Sequence, residues 1–197
     1  PLHEARQQSA SQEHHALETY SDDELMGKVK AGNRWAFGVL VQRWQRRTLC
    51  YARRLLRHDE LAIEATQNAF VNLFVASAKY QPKNLFSAYL FKIVLNECRH
   101  LQRRQKRAYL IEQQLQEEVH YANLPDEIIV ESEKRQAVKE AVASLGEKHK
   151  QVVILRFSAE LSCEKISEVL NIPIGTVKSR LLKAFKRLRR ILSEQRE

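Results

Sequence analysis

Groups with catalytic or metal-binding potential are sparse in this sequence, whereas cations at helical spacing are common. Cys50, Cys98 and Cys163 are scattered and form no C-x-x-C pair, so we interpret them as apolar fillers or inert thiols. His14 and His15 are adjacent, but such a pair on a polar leader is more often solvated than metal-bound. We therefore expect no catalytic residue, no metal site and no cofactor. The chemistry to consider is that of the cations.

The last predicted helix, which runs to about residue 192, carries the most specific arrangement of cations. Its packing seam consists of Val177, Leu181, Ala184 and Leu188. Near its start, the outward side carries Lys178, Ser179, Leu182, Lys183 and Lys186. Helices of this kind read base edges in the major groove from their first turns, while later cations hold phosphates. Residues 174–197 contain eight cations and two acids, which favours a DNA-facing helix over an ordinary surface helix.

The segment before this helix has helix-turn-helix spacing. Ser162 can cap a short helix that buries Ile166 and Val169. Asn171 tolerates the left-handed backbone conformation, and Pro173 follows it, which predicts a tight turn. The sequence therefore predicts a helix-turn-helix motif that ends in the cationic helix.

A second cationic helix is predicted from residue 86 to about residue 107. Its buried side would consist of Phe86, Leu90, Ile93, Val94, Cys98 and Leu101. The opposite stripe consists of Lys92, Asn96, Arg99 and Arg103. Cations are favoured near any helix C-terminus by the helix dipole, but that effect does not account for a continuous stripe. We interpret the stripe as facing a phosphate backbone or bases.

A helix predicted over residues 60–78 is apolar on nearly all sides. Two interpretations stay open. It could be a central helix buried by its own domain, which is the commoner case, or its stripe of Glu64, Asn68, Val71 and Val75 could dock on a partner.

The composition predicts an all-α fold. Among 197 residues there are only five Gly and four Pro, and several of them separate long runs of helix formers. Further helices are predicted from a cap at Ser21 to Gly32, over 34–57, after Pro125 to about 144, and through 152–157. We expect a disordered leader (1–20), a first small helical domain (21–107), an acidic flexible linker (108–130) and a second small helical domain (131–197).

The charge is divided in the same way. Residues 1–107 hold 18 Lys and Arg against 10 Asp and Glu, residues 108–133 hold seven acids and no Lys or Arg, and residues 134–197 hold 15 cations against seven acids. This pattern suits two nucleic-acid-facing domains joined by a segment that avoids nucleic acid, although ordinary solvated helix faces would also produce it. With no long apolar run and no signal-peptide core, we expect a cytoplasmic protein.

The helix-turn-helix resembles region 4 of the extracytoplasmic-function (ECF) sigma factors, above all in the run Pro173-Ile174-Gly175-Thr176-Val177-Lys178-Ser179-Arg180. Residues 64–70 are similar to region 2.2 of the same family, and residues 86–96 are similar to its region 2.4. Asn68 stands where the family usually has Glu. The resemblance implies a dissociable subunit of bacterial RNA polymerase with no catalytic site of its own.

The resemblance also implies three sets of site residues. On the −35 element, bases would be contacted by Lys178, Ser179, Leu182 and Lys183, with Arg156, Thr176, Arg180 and Lys186 nearer the backbone. The −10 element would be engaged by Lys79, Tyr80, Lys83, Asn84, Lys92, Asn96, Arg99 and Arg103. The clamp coiled coil of core polymerase would be bound by Glu64, Gln67, Asn68 and Val71.

Three partners are implied: core RNA polymerase through its clamp and flap, promoter DNA, and an anti-sigma factor that is often membrane-anchored. The regulon would respond to stress or to the envelope, and the acidic linker would thread through the polymerase. One alternative is a transcriptional regulator whose helix-turn-helix binds an operator as a dimer. A nucleic-acid enzyme is the weakest alternative, because no paired carboxylates or His/Cys cluster accompany the basic stripes.

Overall fold

The computed structural model describes residues 17–83, 85–115 and 133–194, and every regular element in these ranges is helical. The first half contains α1 (Asp22–Lys30), α2 (Arg34–Leu56), α3 (Asp59–Ala76), a 3-10 turn (Ser77–Lys79) and α4 (Phe86–Leu115). The second half contains α5 (Glu133–Ala143), α6 (Glu147–Phe157), α7 (Cys163–Leu170) and α8 (Ile174–Glu194). The predicted all-α fold class is confirmed. Within the described ranges, no helix is both long enough and apolar enough to cross a membrane.

Helix α1 begins with a reciprocal capping box. The Ser21 hydroxyl accepts a hydrogen bond from the Glu24 backbone N–H, and the Glu24 carboxylate accepts one from the Ser21 N–H at 2.8 Å. These hydrogen bonds from Ser21 hold the pKa of Glu24 below its ordinary value. The helix is followed by Gly32, whose φ of +93° is one that glycine adopts without strain. The predicted start and end of this helix are therefore confirmed.

The first-half core is organised around aromatic rings from α2 and α4. Phe91 of α4 makes edge-on contacts with Trp44 (ring centroids 6.1 Å apart) and Tyr51 (5.4 Å), and all three rings are buried. Helices α3 and α1 pack against the same α2. Edge-to-face ring pairs have a preferred geometry, so they fix the packing of α2 on α4 more specifically than aliphatic contacts would. The outward surface of α4 therefore has a fixed orientation.

Two predicted boundaries in the first half are wrong. Leu17 is only 5% exposed and belongs to the core, and Arg43 donates hydrogen bonds to the carbonyls of Glu18 and Tyr20. Residues 17–20 are thus packed rather than a disordered leader, while residues 1–16 lie outside the described ranges. Helix α4 continues to Leu115, so residues 108–115 are helical where a flexible linker was predicted. The linker residues 116–130 lie outside the described ranges. Cys50 is exposed rather than an apolar filler.

The helix-turn-helix in the second half has the predicted local geometry. The Ser162 hydroxyl accepts a hydrogen bond from the Lys165 N–H and caps α7. Asn171 ends α7 with φ +52° and ψ +52°, the left-handed conformation that its side chain tolerates. The seam of α8 is buried at Val177, Leu181 and Ala184.

The two halves pack against each other in this structure. Helix α4 contacts α7, α2 contacts α6, and the buried apolar residues of both halves form one continuous cluster. At the rim, Arg47 pairs with Glu160 at 2.6 Å and Arg54 donates to the Ser158 hydroxyl at 2.7 Å. Tyr51 is fully buried, and its hydroxyl has no hydrogen-bond partner among the described residues. The halves are therefore closed on each other.

Candidate DNA and polymerase interfaces

The outward face of α8 is open to solvent along its first three turns. All five residues predicted there are exposed: Lys178, Ser179, Leu182, Lys183 and Lys186. Leu182 is 58% exposed, and its apolar side chain suits contact with a thymine methyl group. Thr176 and Arg180 are half-buried at the edge of the face. The face therefore offers three lysine donors, a serine hydroxyl and an apolar group, which are kinds of side chain that contact phosphates and base edges in the major groove.

The turn before α8 fixes the orientation of this face. The Ser167 hydroxyl donates to the Ile172 carbonyl at 2.6 Å, and the Ile172 N–H returns a hydrogen bond to the Ser167 carbonyl. Arg156 donates to the Leu161 carbonyl at 2.9 Å, which ties the end of α6 to the loop before α7. Arg156 is exposed and could also meet a phosphate, but in this structure it braces the motif.

A second cationic face lies on α4. The four predicted residues, Lys92, Asn96, Arg99 and Arg103, are all exposed. Leu90, Val94, Cys98 and Leu101 are buried on the other side of the same helix, as predicted. The charges thus form one line on a helix that is anchored along its length.

The loop before α4 differs from the prediction at one residue. Tyr80 is only 6% exposed, and its hydroxyl donates to the Asp23 carboxylate at 2.7 Å. Burial, and then this hydrogen bond, raise the pKa of the Tyr80 hydroxyl. The assignment of Tyr80 as a DNA contact is therefore wrong for this conformation, because its ring packs inward and is not accessible to DNA. Lys79 and Lys83 are exposed, and Asn84 lies outside the described residues.

Helix α3 has an apolar surface that nothing in the described chain covers. Val71 is 60% exposed and Val75 is 72% exposed, with Ile63 and Phe74 each more than two-fifths exposed. Gln67 is exposed beside them, and Asn68 is half-buried. A helix buried on all sides is thus the wrong interpretation, and docking of the exposed stripe on a partner stays a prediction. Contiguous exposed apolar residues of this kind mark an interaction surface.

Comparison with known proteins assigns the two halves. Residues 40–108 match the family described as Sigma-70 region 2, and residues 141–190 match Sigma-70, region 4. The ECF RNA polymerase sigma factor SigW of Bacillus subtilis is 28% identical over 178 residues, which cover 85% of this chain and 94% of SigW. The chain belongs to the ECF sigma factors. The ECF RNA polymerase sigma-E factor of Haemophilus influenzae is 25% identical over 85% of this chain and 93% of its own length.

Solved structures of sigma factors share the fold. CnrH, solved in complex with the cytosolic domain of CnrY, has a TM-score of 0.68 at 24% identity, covering 88% of this chain and 97% of CnrH. RpoE of Bartonella quintana, solved with the anti-sigma factor NepR, has a TM-score of 0.61 at 22% identity, covering 74% of this chain and 89% of that one. Sigma factors direct RNA polymerase to promoters, so this chain acts in transcription initiation.

Two contacts of this sigma factor were missed in the sequence. Arg104 of α4 donates to both carboxylate oxygens of Glu64 on α3, each at 2.8 Å, and Asn72 of α3 donates to Glu97 of α4 at 2.9 Å. Glu64 was predicted as a polymerase contact, and here it holds a cation of its own chain. The opposite charges of Glu64 and Arg104 were visible in the sequence, but no local spacing relates residues 40 positions apart.

Proposed function

We propose that this sigma factor binds core bacterial RNA polymerase through the exposed stripe of α3 and grips the promoter at two places. The α4 face and the loop before it would engage the −10 element, and the α8 face would engage the −35 element. The observation that carries this proposal is that one chain presents two separate cationic helix faces, on two family-matched halves, beside an apolar stripe of α3 that no described residue covers. The polymerase supplies the catalytic centre, and the chain acts where the polymerase does, in the cytoplasm.

The −10 contact would stabilise an opened duplex. Unstacking a base step costs a few kcal/mol, which contacts to the freed strand can offset. Lys92, Arg99 and Arg103 are exposed on one line and can follow a single-strand backbone, while the Asn96 amide can pair with a base edge. The residue types on the face thus suit both roles, with cations for the backbone and an amide for a base.

Promoter binding requires the closed halves to separate. The two elements lie about 25 base pairs apart, which is about 85 Å along B-DNA. Helix α7 contacts α4 directly, and α8 packs on α7. With helix axes about 10 Å apart in such packing, α8 lies within about 20 Å of α4. One closed molecule therefore cannot reach both elements, and we infer that an open form is the active one.

The contacts between the halves suit reversible opening. The Arg47–Glu160 pair is exposed to water, where such pairs contribute about 0–1 kcal/mol. An anti-sigma factor, such as the partners named in the neighbouring structures, would act by holding the closed form or covering the exposed faces.

Run-off transcription with purified core polymerase tests the function. Core plus this chain should start at a defined site on a cognate promoter, identified by sequencing transcript starts after overexpression, and scrambling either the −10 or the −35 element should remove that start. Core alone is the control. An operator-binding regulator, the alternative function, would bind duplex DNA but would not confer a start site on core.

A further inference from the structure

The loop that precedes α4 is held by a residue from the opposite end of the first half. One carboxylate oxygen of Asp23, in the first turn of α1, accepts a hydrogen bond from the Tyr80 hydroxyl at 2.7 Å. The same oxygen accepts another from the Lys83 backbone N–H at 3.1 Å. The two donors lie 57 and 60 residues from Asp23 in the chain. Asp23 thus fixes the start and the middle of the loop at a single point.

Other contacts make the Tyr80 end of this anchor rigid. The ring of Tyr80 packs edge-on against Phe86 (6.4 Å between centroids) and Tyr89 (5.3 Å), both at the start of α4. The Tyr80 N–H donates to the Ser77 carbonyl at 3.1 Å. Because these contacts hold the ring, the Tyr80 hydroxyl has a defined position. Its hydrogen bond to Asp23 therefore fixes the loop relative to α1.

The anchor orients groups that face solvent. Residues 81 and 82 lie between the two residues that donate to Asp23. The exposed side chains of Lys79 and Lys83 lie on either side of this segment. A loop held in one conformation loses less conformational entropy when a strand binds than a free loop does. The residue Asp23 is half-buried, and its oxygen that binds the two donors faces the loop.

We propose that Asp23 is a positioning residue for −10 recognition: through Tyr80 and the Lys83 backbone, it sets the conformation of the loop and thereby the base selectivity of the opened −10 element. This inference rests on the proposed function of the loop. It assigns Asp23 and Tyr80 an indirect part, since neither need touch the DNA.

Three variants separate positioning from general stability. Asp23→Ala removes the acceptor, whereas Asp23→Asn keeps an oxygen that can accept both hydrogen bonds. Tyr80→Phe removes the hydroxyl and keeps the packed ring, so it stays folded even if Asp23→Ala does not. The matched control is Asp22→Asn, which removes one negative charge from the same helical turn and the ionic part of the contact with Arg43, and leaves the two hydrogen bonds to the loop in place.

The readout is the affinity of reconstituted holoenzyme for forked promoter DNA with a matched or a base-substituted −10 strand. For Asp23→Ala we expect the ratio of the two affinities to fall about tenfold, which is the discrimination that one base-edge contact provides. Tyr80→Phe should lower the ratio as well, and Asp23→Asn and Asp22→Asn should keep it. Binding of the −35 duplex and of core should stay at the wild-type level in all four variants.

An unchanged ratio in both Asp23→Ala and Tyr80→Phe would overturn the inference. So would an equal fall in Asp22→Asn, or a parallel loss of −35 and core binding, because each would indicate a general loss of stability. Failure of wild-type holoenzyme to start at a promoter would instead refute the proposed function, so the two failures are distinguishable.

Discussion

The guanidinium of Arg104 and the carboxylate of Glu64 form two parallel hydrogen bonds of 2.8 Å, which join α4 to α3. The pair links a helix proposed to face DNA with a helix proposed to face polymerase. Arg104 is 57% exposed and Glu64 is 35% exposed at the side chain, so water screens the attraction. With or without its pair to Arg104, Glu64 lies at the edge of the exposed α3 stripe, which is the surface that polymerase would cover.

The first prediction concerns how much this pair contributes to the free energy of unfolding and to core binding. In a double-mutant cycle of Glu64→Gln and Arg104→Gln, we expect a coupling of about 0.5–1 kcal/mol in the free energy of unfolding, the value for a well-aligned surface pair. For core polymerase, Glu64→Gln should weaken binding several-fold and Arg104→Gln should not, because only Glu64 would exchange its partner for a polymerase cation. Denaturant unfolding and competition for core measure the two effects. Equal weakening by both variants would mean that Glu64 acts only within the chain.

The second prediction concerns opening of the two halves. Glu160→Arg places a cation against Arg47 at the rim and should increase the open population about two- to fivefold, in line with a surface pair of up to about 1 kcal/mol. The change is read as an increase in the distance between fluorophores on the two halves. Adding Arg47→Glu should restore the closed population.

The matched control for opening is Asp59→Arg. It reverses the same charge in the Arg53–Asp59 pair, which lies within the first half. It should leave the distance between the halves unchanged. If it opened the molecule as much as Glu160→Arg does, net charge rather than the rim contact would control opening.

The structure shows which features were predictable from the sequence. The capping residues Ser21 and Ser162, the left-handed Asn171 and the buried seam of α8 were all predicted, because each depends on neighbours within a few residues. Periodicity also indicated which face of α4 is buried. Local rules of this kind determine where a helix starts and which of its faces is buried. They do not determine which other element that face packs against.

The features that escaped prediction depend on distant contacts. Tyr80 meets Asp23 across 57 residues, and Arg47 meets Glu160 across 113. The burial of Leu17 had no signal, since a single apolar residue in a polar leader has no period. The extension of α4 to Leu115 was missed because the change from basic to acidic composition at residue 108 was interpreted as the end of the helix, although both charge types are good helix formers.

The third prediction separates base contacts from phosphate contacts on α8. Lys183→Ala should reduce the preference for a matched over a scrambled −35 site, since a base-edge contact is worth about 1–3 kcal/mol. Lys186→Ala should weaken binding to both sites equally and lower the slope of log affinity against log salt by about one. Fluorescence anisotropy with short duplexes at several salt concentrations measures both quantities.

Lys30→Ala is the control for charge on α8. Lys30 is exposed at the end of α1 and belongs to neither cationic face. This variant lowers the net charge by the same amount and should leave the preference and the slope unchanged. Equal losses on matched and scrambled sites for both α8 variants would remove the assignment of Lys183 to a base.

The fourth prediction concerns the α3 stripe. Val71→Asp should weaken core binding at least about tenfold, because a carboxylate would lose water inside an apolar contact. The side chain is 60% exposed in the free chain, so the free energy of unfolding should change by no more than about 0.5 kcal/mol. Val138→Asp is the matched control, since Val138 is 48% exposed on α5, away from the stripe, and it should keep core affinity. Competition with a reference sigma factor for core measures the loss.

The fifth prediction uses the contrast between two thiols. Cys50 is exposed, whereas Cys98 is buried in α4, and burial, followed by the nearby Glu97 charge, raises the pKa of the Cys98 thiol to about 12. The thiolate is the reactive form, so at pH 8.5 an alkylating reagent should modify Cys50 quickly and Cys98 only on unfolding. Peptide mapping by mass spectrometry distinguishes the sites. Rapid modification of Cys98 in the folded protein would contradict its burial.

The same thiol should make stability fall at high pH. In the unfolded chain Cys98 loses its proton near its ordinary pKa of 9.0, whereas the folded chain keeps it up to about 12. Between these values the folded state binds more protons, so the contribution of Cys98 is complete below pH 9 and is lost as the pH rises through the folded pKa. Cys98→Ala should therefore show a shallower decline in the free energy of unfolding between pH 9 and pH 11 than wild type. Parallel declines would show that other groups, such as the buried tyrosines, account for the whole pH dependence.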